Sequence, residues 1–274
     1  MNLPKITIVI ANYNYGQHVS DAIDSALNQD YEGLINICVV DDGSSDNSWD
    51  VIKSKLKNPK ELISTTAPKE SKGPVLTDKR ENRVIFAIRT DNNGASIARN
   101  VAIEYCLEFT DAYCILDADD EYYPPKVSYL VSKWLHNPRE IGVVYADYDI
   151  INTNTGRILP EFKQPYNKEI LSQECIVHSN ALISKEAFLS TREESGEFYD
   201  STLHGPASGE FIGSSEDYDL WIRIAEKFSM IHIPTSLGIA KITGKNQSSK
   251  VTPSVFGSNA QHIKEKSEKR RDGK

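Results

Sequence analysis

The chain has 274 residues, 39% of them hydrophobic, and a formal net charge of −8. That length suits one large domain or one domain with an appendage, and the apolar content is enough for a real core. The acidic balance argues against nonspecific nucleic-acid binding, and no uninterrupted apolar stretch approaches the ~20 residues that a membrane helix needs.

The first residues, Met1-Asn2-Leu3-Pro4-Lys5, lead at once into the β-rich run Ile6-Thr7-Ile8-Val9-Ile10, which reads as a start without a signal peptide. A polar turn over Asn12-Tyr13-Asn14-Tyr15-Gly16 follows. Val19, Ala22, Ile23, Ala26 and Leu27 then recur at helical spacing, which predicts an amphipathic helix. Ile35 to Val40 is a second strand, stopped by Asp41-Asp42-Gly43-Ser44, and Val51, Ile52 and Leu56 mark the next helix. Residues 57–83 are polar and punctuated by proline and glycine, so they read as an excursion loop. Val84 to Ile88 resumes the sheet, Ala98, Val101, Ala102 and Tyr105 mark a helix, and Tyr113 to Leu116 is a further strand. Strands spaced by helices predict βαβ units and a parallel sheet.

The pattern changes after Pro124-Pro125. A helix with Val127, Leu130, Val131 and Trp134 leads to the strand-like run Gly142 to Ala146, and shorter mixed segments continue to about Ile183. Residues 190–215 read as a loop, and Trp221, Ile224, Ala225 and Phe228 share the face of a clear helix. The polar tail beyond Phe256 shows no periodicity and is expected to be mobile. The predicted division is 1–123 for a first half, 124–255 for a second and 256–274 for the tail. Cys38, Cys106, Cys114 and Cys175 lack metal-ligand spacing, which points to free thiols in a reducing, cytosolic setting. Asn246-Gln247-Ser248 matches a glycosylation sequon, taken as chance where no secretion signal precedes it.

Chemistry concentrates where strands end. Asp117-Ala118-Asp119-Asp120 closes the strand Tyr113 to Leu116, and hard carboxylate oxygens at such a position suit Mg²⁺ or Mn²⁺ bound together with substrate phosphates. The plain alternative is an Asp-rich turn. Tyr13 offers an aromatic face for a base, and Asp42 offers acceptors to a base N–H; the alternatives are a turn aromatic and an Asp-Gly turn with helix capping. Gly94, in Asn93-Gly94-Ala95-Ser96, opens a helix whose first N–H groups attract anions, and Arg99 adds a donor fork suited to phosphate or to the acidic cluster. In Ser215-Glu216-Asp217-Tyr218-Asp219-Leu220-Trp221, Ser214 and Asp217 fit a capping-box-like spacing, while the functional reading makes Asp217 a general base.

Together these segments resemble family 2 glycosyltransferases of the GT-A fold, from about Ile6 to Ser248 with interruptions at 57–83 and 190–213. The resemblance rests on Ala11-Asn12-Tyr13-Asn14, Val40-Asp41-Asp42-Gly43-Ser44, Asn93-Gly94 with Ala98-Arg99-Asn100, Leu116-Asp117-Ala118-Asp119-Asp120 and Glu216-Asp217-Tyr218-Asp219-Leu220-Trp221. It implies an α/β, Rossmann-like sandwich: a mostly parallel central sheet flanked by helices, with a smaller mixed acceptor-side region. It implies nucleotide contacts from Ala11, Tyr13, Asp42, Asn93, Gly94, Arg99, Asp117, Ala118 and Asp119. Asp117 and Asp119 would form the DxD element, touching ribose and metal respectively, with Mn²⁺ or Mg²⁺ as cofactor.

Asp217 would be the catalytic base, with Glu216 and Trp221 on the acceptor side. The implied reaction is transfer of a single sugar from a nucleotide-diphosphate donor, UDP-linked by preference, to a glycan or lipid-linked acceptor, with inversion. Many members carry Arg-x-His before Asn-x-Ser, where this chain has Lys241-Ile242-Thr243, so Lys241 or Lys245 would supply charge instead. The Gln-x-x-Arg-Trp element of processive synthases is absent. The basic tail, with Lys269-Arg270-Arg271, offers a peripheral contact to the inner face of a membrane, against the alternative of a solvated end. Two further readings are a phosphotransferase using Asp117 as nucleophile and a catalytically decayed nucleotide-sugar-binding scaffold.

Overall fold

The computed structural model describes residues 2–62, 68–192, 196–203, 215–243 and 253–272. Strand β1 (Ile6–Asn12) sends Ile6, Ile8 and Ile10 into one apolar layer and Val9 into the other, the alternation of a strand covered on both faces. Helix α1 (Val19–Leu27) buries Val19, Ala22, Ile23 and Ala26, the stripe set out by its spacing. β2 (Ile35–Asp42) is buried along its whole length and is followed by α2 (Ser48–Ser54).

The excursion at 57–83 holds two strands that sequence reading missed. β3 (Lys60–Leu62) pairs antiparallel with β4 (Val75–Arg80), and β4 pairs antiparallel with β5 (Arg83–Thr90). Their polar composition fits strands at the sheet margin, where backbone pairing rather than a buried apolar row decides the conformation. The Asp78 carboxylate accepts the amide N–H groups of Lys57 and Asn58 and pairs with Arg80, which ties this hairpin to the chain leaving α2.

α3 (Ala95–Cys106), a 3-10 turn (Leu107–Phe109) and β6 (Ala112–Ile115) complete a parallel core. β1 pairs in parallel with β2 and with β6, and β2 in parallel with β5. The carboxyl ends of all four strands therefore share one edge of the sheet.

The second half extends the same sheet. It contains β7 (Glu121–Tyr122), α4 (Lys126–Trp134), β8 (Ile141–Asn152), β9 (Ile158–Glu161), α5 (Lys168–Leu171), β10 (Leu182–Ser184) and α6 (Lys185–Ser190). A 3-10 turn (Ser201–Leu203), α7 (Glu216–Ala225) and β11 (Ser229–Ile242) follow. β10 runs antiparallel between β6 and β8, while β11 runs parallel to β8 and antiparallel to β7. The described strands form one 11-stranded sheet in the order β3-β4-β5-β2-β1-β6-β10-β8-β11-β7, with β9 on β8. Apolar residues of α3 and α7 fill one face of this sheet, and those of α1 and α4 the other.

The tail was expected to be mobile from residue 256, and this needs correction: residues Pro253–Asp272 form helix α8. Among its described side chains, the deeply buried aliphatic one is Ile263, which enters the same core as Trp221. Charge pairs hold the rest, because Lys266 Nζ lies 2.5 Å from Asp200 and 3.4 Å from Asp219, and Arg270 Nε lies 3.0 Å from Glu226. Two of the tail's cations are thus turned toward the protein rather than toward a membrane. The four cysteines are free thiols. No helix among the described residues is long and apolar enough to cross a membrane.

If α8 is docked as described, Ile263→Ala should lower the unfolding free energy by about 2–4 kcal/mol, measured by denaturant titration. A change below about 0.5 kcal/mol, the range of surface substitutions, would contradict the docking.

Candidate active site

The turns after β1 and β2 are zipped together. Asn12 Nδ2 donates to Asp41 Oδ1 at 2.9 Å and to Ser44 Oγ at 3.2 Å, and Ser44 Oγ in turn accepts the Asn14 N–H at 2.9 Å. Asn14 occupies the left-handed region at φ 57°, and its Oδ1 accepts the N–H groups of Ser45 and Asp46. Gly43, at φ +69°, approaches so closely that a Cβ there would lie 2.6 Å from Asn92 N, so no side chain fits. Ala11 is half-buried beneath this turn, and Tyr13 stands 41% exposed above it.

Asp42 is buried at the end of β2. Its Oδ1 accepts the Asn93 N–H at 2.9 Å and the Thr90 hydroxyl at 3.3 Å, and its Oδ2 accepts the Gly94 N–H at 2.8 Å. Burial raises its pKa, against the pull of these three bonds. The start of α3 was expected to hold a ligand anion at Asn93 and Gly94. This is corrected: both N–H groups are taken by the carboxylate of Asp42, which is itself the anion that a helix start attracts.

The acidic motif after β6 is organised by Arg99. This guanidinium, on α3, is 7% exposed. It donates from Nη2 to Asp117 Oδ1 at 2.9 Å and from Nη1 to Glu216 Oε1 at 2.7 Å, and Nη1 lies 4.0 Å from Asp217 Oδ1. The Tyr199 ring lies beneath it, 5.4 Å from Cζ to the ring centroid. Burial alone would favour loss of the Arg99 proton, yet Asp217, Asp117 and Glu216 together hold its pKa well above the ordinary value. Asn100, the next residue, donates to Tyr199 O and accepts the Tyr199 N–H, both at 2.8 Å, which fixes that ring in place.

Asp117 keeps its second oxygen on the Ser179 hydroxyl at 3.1 Å. Ala118 is buried. Asp119 is pushed up to about 6 by burial and by the neighbouring Asp117, and a hydrogen bond from Tyr15 opposes the shift. Asp120 accepts the Lys241 N–H at 3.0 Å and the Asn180 side-chain amide at 3.1 Å, and burial raises its pKa well above the ordinary value. The Lys241 ammonium pairs with Glu121 at 2.6 Å and Asp21 at 3.1 Å.

A carboxyl lifted to about 6 by burial and a like charge is one whose ionised form a divalent cation would stabilise. Among the described residues no group of three or more His, Cys, Asp or Glu is arranged to hold a metal. A single raised carboxyl such as Asp119 suits the Mg²⁺ or Mn²⁺ mode in which one or two carboxylates share the ion with substrate phosphates.

Tyr13, Asp42, Asp117, Asp119 and Asp217 thus all belong to segments that meet at the carboxyl edge of the sheet. Two expectations change. Trp221, expected on the acceptor side, is fully buried in the same apolar core as Phe198 and Phe188, so it offers no surface to a ligand. Glu216 is also buried, and its carboxylate serves Arg99 rather than an acceptor. Ser214, Lys245 and Asn246-Gln247-Ser248 lie outside the described residues. Sequence reading missed Tyr15, Ser179, Asn180 and Tyr199. Tyr15 lay in the same turn as Tyr13; Ser179 and Asn180 come to the acidic motif only because β10 pairs antiparallel with β6.

The family model described as Glycosyl transferase family 2 matches residues 7–190. An uncharacterized glycosyltransferase of Rickettsia felis is 27% identical over 256 residues, covering 90% of this chain and 35% of that protein. The chain spans only 20–35% of the length of the first curated relatives it matches. Among solved structures, S. aureus TarS 1–349 in complex with UDP-GlcNAc superposes with a TM-score of 0.60 at 14% identity, covering 90% of this chain and 61% of that one. A mannosyltransferase from Pyrobaculum calidifontis in complex with GDP-Man and Mn²⁺ gives a TM-score of 0.57 at 16% identity, covering 91% and 60%. The fold is that of GT-A glycosyltransferases.

Arg99→Met should cost about 3–5 kcal/mol of stability, because it takes from the buried carboxylate of Glu216 the guanidinium that pairs with it. In a double-mutant cycle with Glu216→Gln, measured by chemical denaturation, the coupling energy should exceed about 1 kcal/mol. Additive effects would show that the two do not act as a pair.

Proposed function

The chain belongs to glycosyl transferase family 2, and from that premise we propose that it transfers a single sugar from a nucleotide-diphosphate sugar to an acceptor hydroxyl with inversion, using Mn²⁺ or Mg²⁺. The observation that carries the reading is the Arg99 fork. It binds Asp117 of the metal motif and Glu216 of the late helix, leaving Asp217 4.0 Å from the same guanidinium. Candidate donor-binding and proton-accepting carboxylates therefore share one crevice.

In this proposal Tyr13 stacks on the base. Asp42 rigidifies the Asn93-Gly94 turn beside it and keeps one lone pair of Oδ2 for a base N–H. Asp117 faces the ribose, and Asp119, supported by Tyr15, is the protein's ligand to the divalent ion. That ion supplies Lewis-acid stabilisation of the leaving diphosphate. Asp217 accepts the proton of the acceptor hydroxyl as its oxygen attacks the anomeric carbon from the side opposite the diphosphate, so a single displacement inverts the centre. Arg99 holds Asp117 and Glu216 in register without touching the reacting atoms. A UDP-linked donor is favoured because the TarS neighbours were solved with UDP and UDP-GlcNAc, although the mannosyltransferase neighbour binds GDP-Man. The acceptor is a glycan or a lipid-linked saccharide.

Asp217→Asn should lower kcat by about 10²-fold or more while nucleotide affinity, measured by calorimetry, stays unchanged. Asp119→Ala should lose the Mn²⁺-dependent part of that affinity, and a thermal-shift panel of nucleotide diphosphates with and without Mn²⁺ identifies the base. Transfer at the parental rate in Asp217→Asn would remove that residue from the role of base. Donor binding without transfer to any acceptor or to water would favour the decayed scaffold instead.

A further inference from the structure

On the side of the crevice away from Tyr13, three side chains from β8, from the segment after β9 and from the segment before β10 stand in a row. The Tyr148 and His178 rings lie 4.1 Å apart, centroid to centroid, at 38°. Lys163 Nζ stands 5.9 Å from the Tyr148 centroid. The backbone under Lys163 is fixed, since its N–H donates to Asp147 Oδ1 at 2.8 Å, and Asp147 is held in turn by His232 at 2.7 Å. His178 Nδ1 accepts the Asn180 N–H at 3.2 Å, which leaves the ring's own proton on Nε2. Asn180 also holds Asp120, so this ring is coupled to the acidic motif.

The row borders the proposed reaction centre. Ser179, next to His178 in the chain, donates to Asp117 at 3.1 Å, and Asn180 donates to Asp120 at 3.1 Å. Among the other cations near the acidic motif, Arg99 is taken by Asp117 and Glu216 and Lys241 by Glu121 and Asp21, while Lys126 is buried against the Tyr122 ring and so out of reach of an acceptor. Lys163 makes no ion pair among the described residues; its recorded side-chain contact is the Tyr148 ring. The adjoining Phe162 is 74% exposed. A cation without a counter-ion, on the rim of a crevice dominated by carboxylates, is placed to offset the repulsion that an incoming anion would meet there.

We propose that Lys163, with the His178 Nε2–H and the Tyr148 ring face, forms a subsite for an acceptor that carries an anionic group, a carboxylate or a phosphate, near the hydroxyl presented to Asp217. This rests on the transferase reading and narrows its acceptor to anionic saccharides. The ring face packs against the C–H face of the acceptor, and Lys163 and His178 donate to its anionic oxygens.

The test is an array of neutral oligosaccharides and their counterparts bearing uronic acid or phosphate, probed with the full chain in the presence of UDP and Mn²⁺. The chain should retain the anionic glycans over the neutral ones. Lys163→Met should reduce that preference by about tenfold, and Lys163→Arg should restore most of it. Equal retention of neutral glycans, retention of no anionic glycan, or an undiminished preference in Lys163→Met would overturn the proposal. So would a loss of UDP affinity in Lys163→Met, which would put the lysine on the donor's diphosphate. Hydrolysis of a UDP-sugar by the unsubstituted chain is read separately: its presence with a failed array rejects only the anionic acceptor, and absence of any donor binding rejects the transferase reading itself.

Discussion

A buried guanidinium holds the crevice together. Arg99 stands on a helix behind the sheet, yet its two Nη atoms reach carboxylates that lie 18 residues ahead of it and 117 residues ahead of it in the chain. Removing such charges from water is costly, and the cost is offset only when geometry and partners are good. Here the planar fork meets one oxygen of Asp117 and one of Glu216, with the Tyr199 ring beneath, an arrangement that a lysine ammonium would not reproduce. Placement of the late helix against the parallel half of the sheet is thereby coupled to the acidic motif. The spacing of Asp117 from Glu216 and its neighbour Asp217 becomes a property of the fold rather than of two independent loops.

The same logic recurs around α7. Asp219 is paired with Arg223 at 2.7 Å, and Arg223 reaches the carbonyls of Thr191 and Phe198. Lys266 of α8 then bridges Asp219 to Asp200. The helix that presents Asp217 is therefore held from the segment before it and from the C-terminal helix. Buried charges paired in this way define one arrangement more sharply than apolar packing does, because a small displacement leaves charges unpaired.

Where apolar periodicity sets the structure, it was legible in the sequence. The strand at Ile6 and the helix at Val19 follow from which side chains must leave water, and four parallel strands follow from the alternation of such elements. The acidic residues stood out for a related reason, since carboxylates that follow parallel strands are brought to one edge of the sheet. What escaped notice has its own physics. β3 and β4 are made of polar residues whose conformation depends on backbone pairing with β5. α8 shows no apolar stripe because its docking relies on Lys266, Arg270 and a single buried isoleucine. Ser179 and Asn180 are ordinary in sequence and acquire a role only when β10 inserts antiparallel between β6 and β8. Trp221 misled for the opposite reason: it lies one helical turn from Asp217, but that turn points into the core. Asp42 stood out at the end of β2, while its hold on the Asn93-Gly94 turn was visible only in three dimensions.

The most direct test of this account is a crystal structure of the chain with UDP and Mn²⁺, with anomalous data collected at the manganese edge. The expected result is a single strong peak bonded to an Asp119 carboxylate oxygen and to the diphosphate, with the uracil against Tyr13 and Asp217 open to the diphosphate side. A manganese peak away from Asp119, or a nucleotide bound at another edge of the sheet, would contradict it.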